Sequence, residues 1–258
     1  YYVKLRQAHK LFEMSYEEYE TLLLDKFHES DEYFYNIRSL LEKIIGYYNV
    51  GTDYCNGAVC GNTILGAMYM PFNTLEDEKI GPKIRDLSIV TGKLAAYFLD
   101  TNLEPFSYDD RNNIVKYRDY HFFRNSPIKL KNNLGFVLFC ILCNINYIIE
   151  FLDKYFEEIP QKFKYAYLQY YYICDFIEEL NSANKTNYYI DKTLKNRSLR
   201  NCFAHYGLGQ FLEEIEINEK DVLKGLTEKA FNMDYFSCKN LLYKYLVDLK
   251  SQIEETIF

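Results

Sequence analysis

Between Leu134 and Leu152 the chain runs through 19 residues that are almost wholly apolar, interrupted only by Asn144, Asn146 and Glu150. A stretch of this length has to leave water, either into a bilayer or into the middle of a protein core. A spanning helix is more continuously apolar, and each polar side chain in hydrocarbon would need a partner there. The stretch therefore predicts a buried central helix, Lys131–Phe156, and no membrane association. A helix buried on most sides must be enclosed by others that each carry one apolar face.

The rest of the sequence supplies them. After Pro160, Gln161–Ser182 forms the second long helix of the expected hydrophobic centre. Near the start, Ser15 followed by Glu18 has the form of a capping box opening a helix over Ser15–Glu29. A second helix is expected over Asp31–Tyr48, with Phe34, Ile37, Leu41, Ile44 and Tyr48 in one stripe. Lys83–Leu99, the beginning of Tyr108–Pro127, Thr186–Lys195, Lys220–Phe231 and Asp234–Ile257 also carry helical spacing. In the last, Leu242, Leu246, Leu249 and Ile253 make a narrow stripe. Gly51–Asn62, Pro71–Pro82 and Thr101–Ser107 read as connections, Thr63–Met70 is ambiguous, and Phe211–Asn218 suits a short strand or an extended loop. The expected class is all-α: an N-terminal helical region over residues 1–125 and a helical core over 126–258, or one continuous domain of both.

Composition narrows the functional classes. A net charge of −7 argues against an avid, general nucleic-acid binder. Local charge is uneven, however. Arg111, Lys116, Arg118, Arg124, Lys129 and Lys131 stand against Asp119 alone, and Lys185, Lys192, Lys195, Arg197 and Arg200 against Asp191 alone. The 27 tyrosines, with no tryptophan, are too many to be ligand contacts. Most are expected to fill the helical core with the ring while the hydroxyl reaches its edge. The seven cysteines, with no secretory signal before them, fit a reduced cytoplasmic protein. A first residue of Tyr suggests a start trimmed from a longer chain. Cys140 with Cys143, and Cys55 with Cys60, invite a zinc site, but the first pair lies in the apolar run, where cysteine packs as a small hydrophobe. No metal and no cofactor are expected; no phosphate loop, dinucleotide fingerprint or zinc-hydrolase signature is present.

The chemistry-bearing stretch is Ser198-Leu-Arg-Asn-Cys-Phe-Ala-His-Tyr-Gly207. Arg200 supplies a permanent forked cation suited to a phosphate, and His205 a proton donor and acceptor that works near neutrality. On a helix Asn201 and His205 share a face and Arg200 flanks it. Leu199, Cys202 and Phe203 are placed to anchor that helix, Asn196 or Ser198 to cap it, and Gly207 and Gly209 to end it. The other histidines, His9, His28 and His121, read as surface or core residues; among them His121, between Arg118 and Arg124, is the most plausible accessory RNA contact.

Arg200, Asn201 and His205 resemble the signature of the HEPN superfamily: an arginine, a polar residue, then a histidine a few positions on, within an all-helical domain. That resemblance implies a metal-independent endoribonuclease that cleaves RNA through its own 2′-hydroxyl. Two copies of the motif would face one another, so a homodimer is implied, with a toxin-like or antiphage role and an antitoxin as a further partner. In this reading His205 is the general acid/base, Arg200 holds the scissile phosphate, and Asn201 orients His205 or the phosphate. Arg197, Lys195 and Tyr206 would help bind the substrate. Tyr206 follows His205 directly, where many toxins of this family that pair with nucleotidyltransferase antitoxins have one residue between, which sets this chain apart from that subtype. The other class of reading is a non-catalytic helical module that binds RNA, a nucleotide or a protein. Exposure discriminates: catalysis needs Arg200 and His205 open to one groove, a structural pair would be buried or divergent.

Overall fold

The computed structural model of the chain describes residues 11–45, 50–69, 88–93, 115–205, 207–217 and 222–258. Pro71–Pro82, Thr101–Ser107, most of Lys83–Leu99, and His9, Tyr48 and Tyr206 lie outside them. Most of the described residues are helical, as the periodicity predicts, with one small sheet set against the helices.

Helix α1 (Tyr16–Ile37) opens on the expected capping box: the Glu18 N–H donates to Ser15 Oγ at 3.3 Å, and the Ser15 N–H to Glu18 Oε2 at 3.0 Å. It then runs for 22 residues without the break expected near Ser30. No glycine or proline interrupts it, and Ser30 is buried rather than capping a second helix. Tyr16, Tyr19, Leu23 and Phe27 recur at helical spacing and are buried, the tyrosines against Phe176 and Phe27 against Phe136. A short helix α2 (Leu40–Ile45) follows, and there the expected stripe fails as a buried face: Ile37, Leu41 and Ile44 are exposed.

The sheet corrects two expectations. Val50–Cys55 (β1) and Ala58–Asn62 (β2) form an antiparallel hairpin where a loop was expected. Asn56 and Gly57 make its two-residue turn with φ of 52° and 84°, the left-handed pair a type I′ turn requires. After the helix α3 (Thr63–Tyr69), Val115–Tyr120 (β3) pairs antiparallel with the other edge of β1, where the beginning of a helix was expected. Its sequence, Val-Lys-Tyr-Arg-Asp-Tyr, alternates with the strand period of two. Opposite Asp53 and Tyr54 the register slips, leaving Cys60 as the extra residue of a bulge on β2. The short helix α4 (Phe122–Asn125) leads on to the core.

Helix α5 (Asn133–Asn146) is the predicted centre, buried continuously from Gly135 to Asn146. It passes through a π-helical turn (Tyr147–Leu152) into a last helical turn (Asp153–Tyr155). The span Asn133–Tyr155 has the length and apolarity to cross a membrane, and 72% of its apolar window is buried inside this chain. Within the π-turn the Glu150 carbonyl is taken by the hairpin: the Cys55 thiol and the Asn56 amide each donate to it at 3.4 Å. The hairpin tip is thus docked on the irregular end of the central helix.

Helix α6 (Pro160–Asn184) begins on a proline, whose missing N–H costs nothing at a first turn, and ends at left-handed Lys185. Its Lys162 is buried, bonded to the carbonyls of Asp153 and Phe156 at 3.1 and 3.0 Å and to the Asp153 and Glu158 carboxylates at 3.5 Å each. Lys239 closes the same cluster, 2.8 Å from Asp153 and 2.6 Å from Glu158.

Residues 186–196 are not helical, apart from a turn at 193–194 that the Lys195 N–H closes onto the Lys192 carbonyl at 2.8 Å. Side chains take up their main-chain groups instead: Asn181 bonds both the N–H and the carbonyl of Tyr188, and Gln252 both those of Tyr189. Then come α7 (Arg197–His205), α8 (Leu208–Phe211), a 3-10 turn at Glu214–Glu216, α9 (Val222–Phe231) and α10 (Tyr235–Ile257). No strand forms over the described part of Phe211–Asn218. The stripe Leu242, Leu246, Leu249 and Ile253 is fully buried, and one core joins α1 to α5, α6, α7 and α10 across residues 125 and 126.

A Cβ on Gly135 would lie 1.7 Å from the Leu130 carbonyl oxygen, whereas one on Gly57 would meet nothing. Gly135→Ala should therefore cost about 3 kcal/mol and Gly57→Ala about 1 kcal/mol, through its positive φ alone. Urea unfolding of the two variants checks the order. Burial opposes ionisation of Asp153 and Glu158, but Lys239 and Lys162 outweigh it and hold both carboxyls below their usual range. Their stabilisation is thus present above the ordinary carboxylate pKa and lost as pH falls through the lowered one. Melting curves through the acid range should show that loss shrink in Lys239→Met.

Candidate functional site

The motif helix is set in place by tyrosines of α6. The Tyr167 hydroxyl accepts from the Asn196 N–H at 3.0 Å and lies 3.0 Å from the Leu194 carbonyl and 3.1 Å from that of Asn196. The Tyr170 hydroxyl donates to the Asp191 carbonyl at 2.7 Å. Asn196, thus fixed, caps α7: its Oδ1 accepts from the Leu199 N–H at 3.0 Å, and its carbonyl accepts the Arg200 N–H at 3.0 Å. At the other end the Gly207 N–H bonds the Cys202 carbonyl at 3.1 Å and closes the last turn.

Leu199, Cys202, Phe203 and Ala204 are buried, as the anchoring role requires, and Phe203 packs on the rings of Phe163 and Tyr167. At about 100° per residue, Arg197, Asn201 and His205 follow one another along the opposite, exposed strip, with Ser198 beside them. His205 is the last residue of the helix.

Arg200 is placed differently. It is half-buried, about 140° around the helix from His205 and on the flank facing α6. Its guanidinium lies over Tyr171, 5.3 Å from the ring centre, and over Tyr172 at 5.7 Å. Its Nε is buried without a hydrogen-bond acceptor. Lys195 sits over the same Tyr171 ring at 5.1 Å and forms an ion pair with Asp175. Lys192 is likewise paired, with Glu178 and with Asp175. The basic run before the motif is therefore partly neutralised by α6, and Arg197 is the cation that shares the exposed strip with Asn201 and His205.

The structure thus brings Asn201, His205 and Arg197 together on one face and Arg200 with Lys195 on the next. Tyr171, Tyr172 and Asp175 are the residues the sequence reading missed; the run Tyr170-Tyr171-Tyr172 was their only signal. His121 does not serve as an open RNA contact: it is buried, 3.3 Å from the Asp31 carboxylate, with its pKa lowered chiefly by burial. His28 is exposed, as a structural surface residue would be. Among the described residues no group of three or more His, Cys, Asp or Glu is arranged to hold a metal ion. All seven cysteines are buried as free thiols, and burial pushes those of Cys60 and Cys140 up to about 12.

Comparison of the chain with protein-family models, with curated proteins and with solved structures finds no match in any of the three.

Tyr167→Phe keeps the ring packing and removes the hydroxyl that holds Leu194 and Asn196. Leaving those buried main-chain groups unpaired should cost about 1–3 kcal/mol. Denaturant midpoints for this variant and for Tyr189→Phe, whose ring is exposed, provide the check.

Proposed function

We propose that the α7 face is the working surface of a metal-independent endoribonuclease of HEPN type, acting as a homodimer. One observation carries the reading: an exposed histidine and an exposed amide stand one turn apart on a strip shared with Arg197, with Arg200 on the neighbouring flank, on a helix whose other face is locked into the core. In this mechanism His205 takes the proton of the RNA 2′-hydroxyl or returns one to the leaving 5′-oxygen. Arg200 holds the scissile phosphate and balances charge on it as the cyclic phosphate forms. Asn201 orients His205 or the phosphate, and Arg197 steers the RNA backbone onto the strip. The tyrosine rings seat the Arg200 guanidinium itself on the flank facing α6, so meeting a phosphate at His205 of the same chain would require it to leave that seat. Across a dimer axis, Arg200 of one protomer would complete the site of the other, which answers the angle separating it from His205 within one chain. A toxin-like or antiphage role, with an antitoxin as partner, follows from the same resemblance.

A second reading rests on that same angle. Seated on Tyr171 and Tyr172, Arg200 has a structural role without any substrate, and the exposed strip would then belong to a non-catalytic RNA- or protein-binding module.

Incubation of the purified chain with RNA in a chelator separates the two. The nuclease reading expects fragments ending in a cyclic or 3′-phosphate, DNA left intact, and a fall of about 10²–10⁴-fold in His205→Ala. Arg200→Ala should lose cleavage as well, whereas His205→Ala, at an exposed site, should keep the wild-type melting temperature. Full activity in His205→Ala, or a strict magnesium requirement, would overturn this mechanism, and no cleavage of RNA at all would leave the binding module.

A further inference from the structure

Away from the motif helix, a cavity of about 390 Å³ opens between the hairpin, α3, the end of α5 and the start of α6. Its volume lies in the range of small-molecule sites and well below what a polymer groove would need. Asp53, Asn62, Gly66, Asn144, Tyr147 and Tyr165 are among the residues that line it, and no lysine, arginine or histidine does. An anionic ligand group would therefore find no counter-charge and a carboxylate instead.

The polar atoms of the wall divide into those already used and those left over. Asn62 is spent: its Oδ1 accepts the Leu65 N–H at 2.9 Å, and its amide reaches the sulfurs of Cys140 and Cys143 at 3.7 Å each. Asn144 is also engaged, donating to Gln169 at 3.2 Å and accepting from the Tyr165 hydroxyl at 3.4 Å. Asp53 and Tyr147 remain. Among the described residues neither side chain has a hydrogen-bond or ion-pair partner; Asp53 is exposed at the open rim of the cavity, Tyr147 is half-buried in its wall, and partial burial raises the pKa of each. The rings of Tyr147 and Tyr165 meet at 77° with centres 6.1 Å apart, and Tyr147 also stacks on Phe151 at 5.4 Å, which makes this an ordered aromatic corner of the wall.

Two local irregularities shape this cavity. The bulge at Cys60 shifts the register beside Asp53, and Tyr147 is the first residue of the π-turn. Both devices recur where a protein re-aims a side chain toward a ligand.

We infer that this cavity binds a nucleobase, with guanine the best match, as a nucleoside whose sugar faces solvent. Asp53 accepts the adjacent N–H groups of the Watson–Crick edge, the Tyr147 hydroxyl donates to the O6 side, and the Tyr147–Tyr165 corner holds the ring plane. Adenine puts a ring-nitrogen acceptor where the second donor is needed, and uracil offers a single N–H between two carbonyls. This site shares no residue with the α7 strip and stands whether or not the chain cleaves RNA.

Isothermal titration of the full chain with guanosine, cytidine, adenosine, uridine and putrescine tests it. Guanosine should bind most tightly, since cytidine and adenosine both put a ring-nitrogen acceptor beside the amino group. Asp53→Asn, which converts one acceptor into a donor, should weaken guanosine about tenfold or more. Gly66 lines the cavity from α3 and a Cβ there would meet nothing within 4 Å, so Gly66→Leu has room at its first carbon and should abolish binding while the melting temperature holds. Equal affinity for guanosine and uridine, binding of putrescine alone, no nucleoside binding at millimolar concentration, or full guanosine affinity in folded Gly66→Leu would each overturn the assignment.

Discussion

The hydroxyl of Tyr167 is the contact on which the arrangement of the motif depends. Its ring is fully buried in the core, yet its oxygen meets the main chain of Leu194 and Asn196, just before α7. A phenylalanine would fill the same space and leave that segment unheld. Because residues 186–196 form no helix of their own, they rely on Tyr167, Tyr170, Asn181 and Gln252 for their direction. The direction of α7, and with it the side on which Asn201 and His205 emerge, follows from those bonds. At positions 167 and 170 a leucine could bury as much surface but could not bond the main chain laid against it.

The same logic runs through the other half of the fold. The π-turn at Tyr147–Leu152 leaves the regular bonding of the central helix, and the hairpin answers it with Cys55 and Asn56. Lys162 and Lys239 close the end of that helix with Asp153 and Glu158. Each irregular piece of backbone is thus matched by polar side chains from a neighbour. The cavity between hairpin and helix is where Asp53 and Tyr147 remain unmatched.

Much of this was legible in the residues. The long helices α5, α6 and α10 were readable because apolar spacing sustained over many residues leaves no competing period, and the capping box at Ser15 marked its helix start directly. The anchoring of α7 by Leu199, Cys202 and Phe203 was readable for the same reason. The hairpin was missed although Asn56-Gly57 is a strong turn signal, because a tract rich in Gly and Asn also describes a loop, and Val50–Cys55 carries no clean alternation. Thr186–Lys195 misled in the opposite direction: Tyr189, Ile190 and Leu194 have helical spacing, but side-chain bonds from two distant helices took over its main chain. The seat of Arg200 was out of reach, since a cation resting on Tyr171 and Tyr172 is a contact between segments that local spacing does not encode. The cavity was equally hidden, being made of four elements whose polar residues lie far apart in the chain.

The central claim is that the exposed strip of α7 is the surface that meets RNA. NMR titration with a short RNA carrying 2′-O-methyl groups, which binds but lacks the attacking hydroxyl, addresses it most directly. The His205 imidazole, the Asn201 amide and the Arg197 and Arg200 guanidinium signals should shift together and saturably. Shifts elsewhere on the protein that leave His205 and Asn201 unmoved would contradict it.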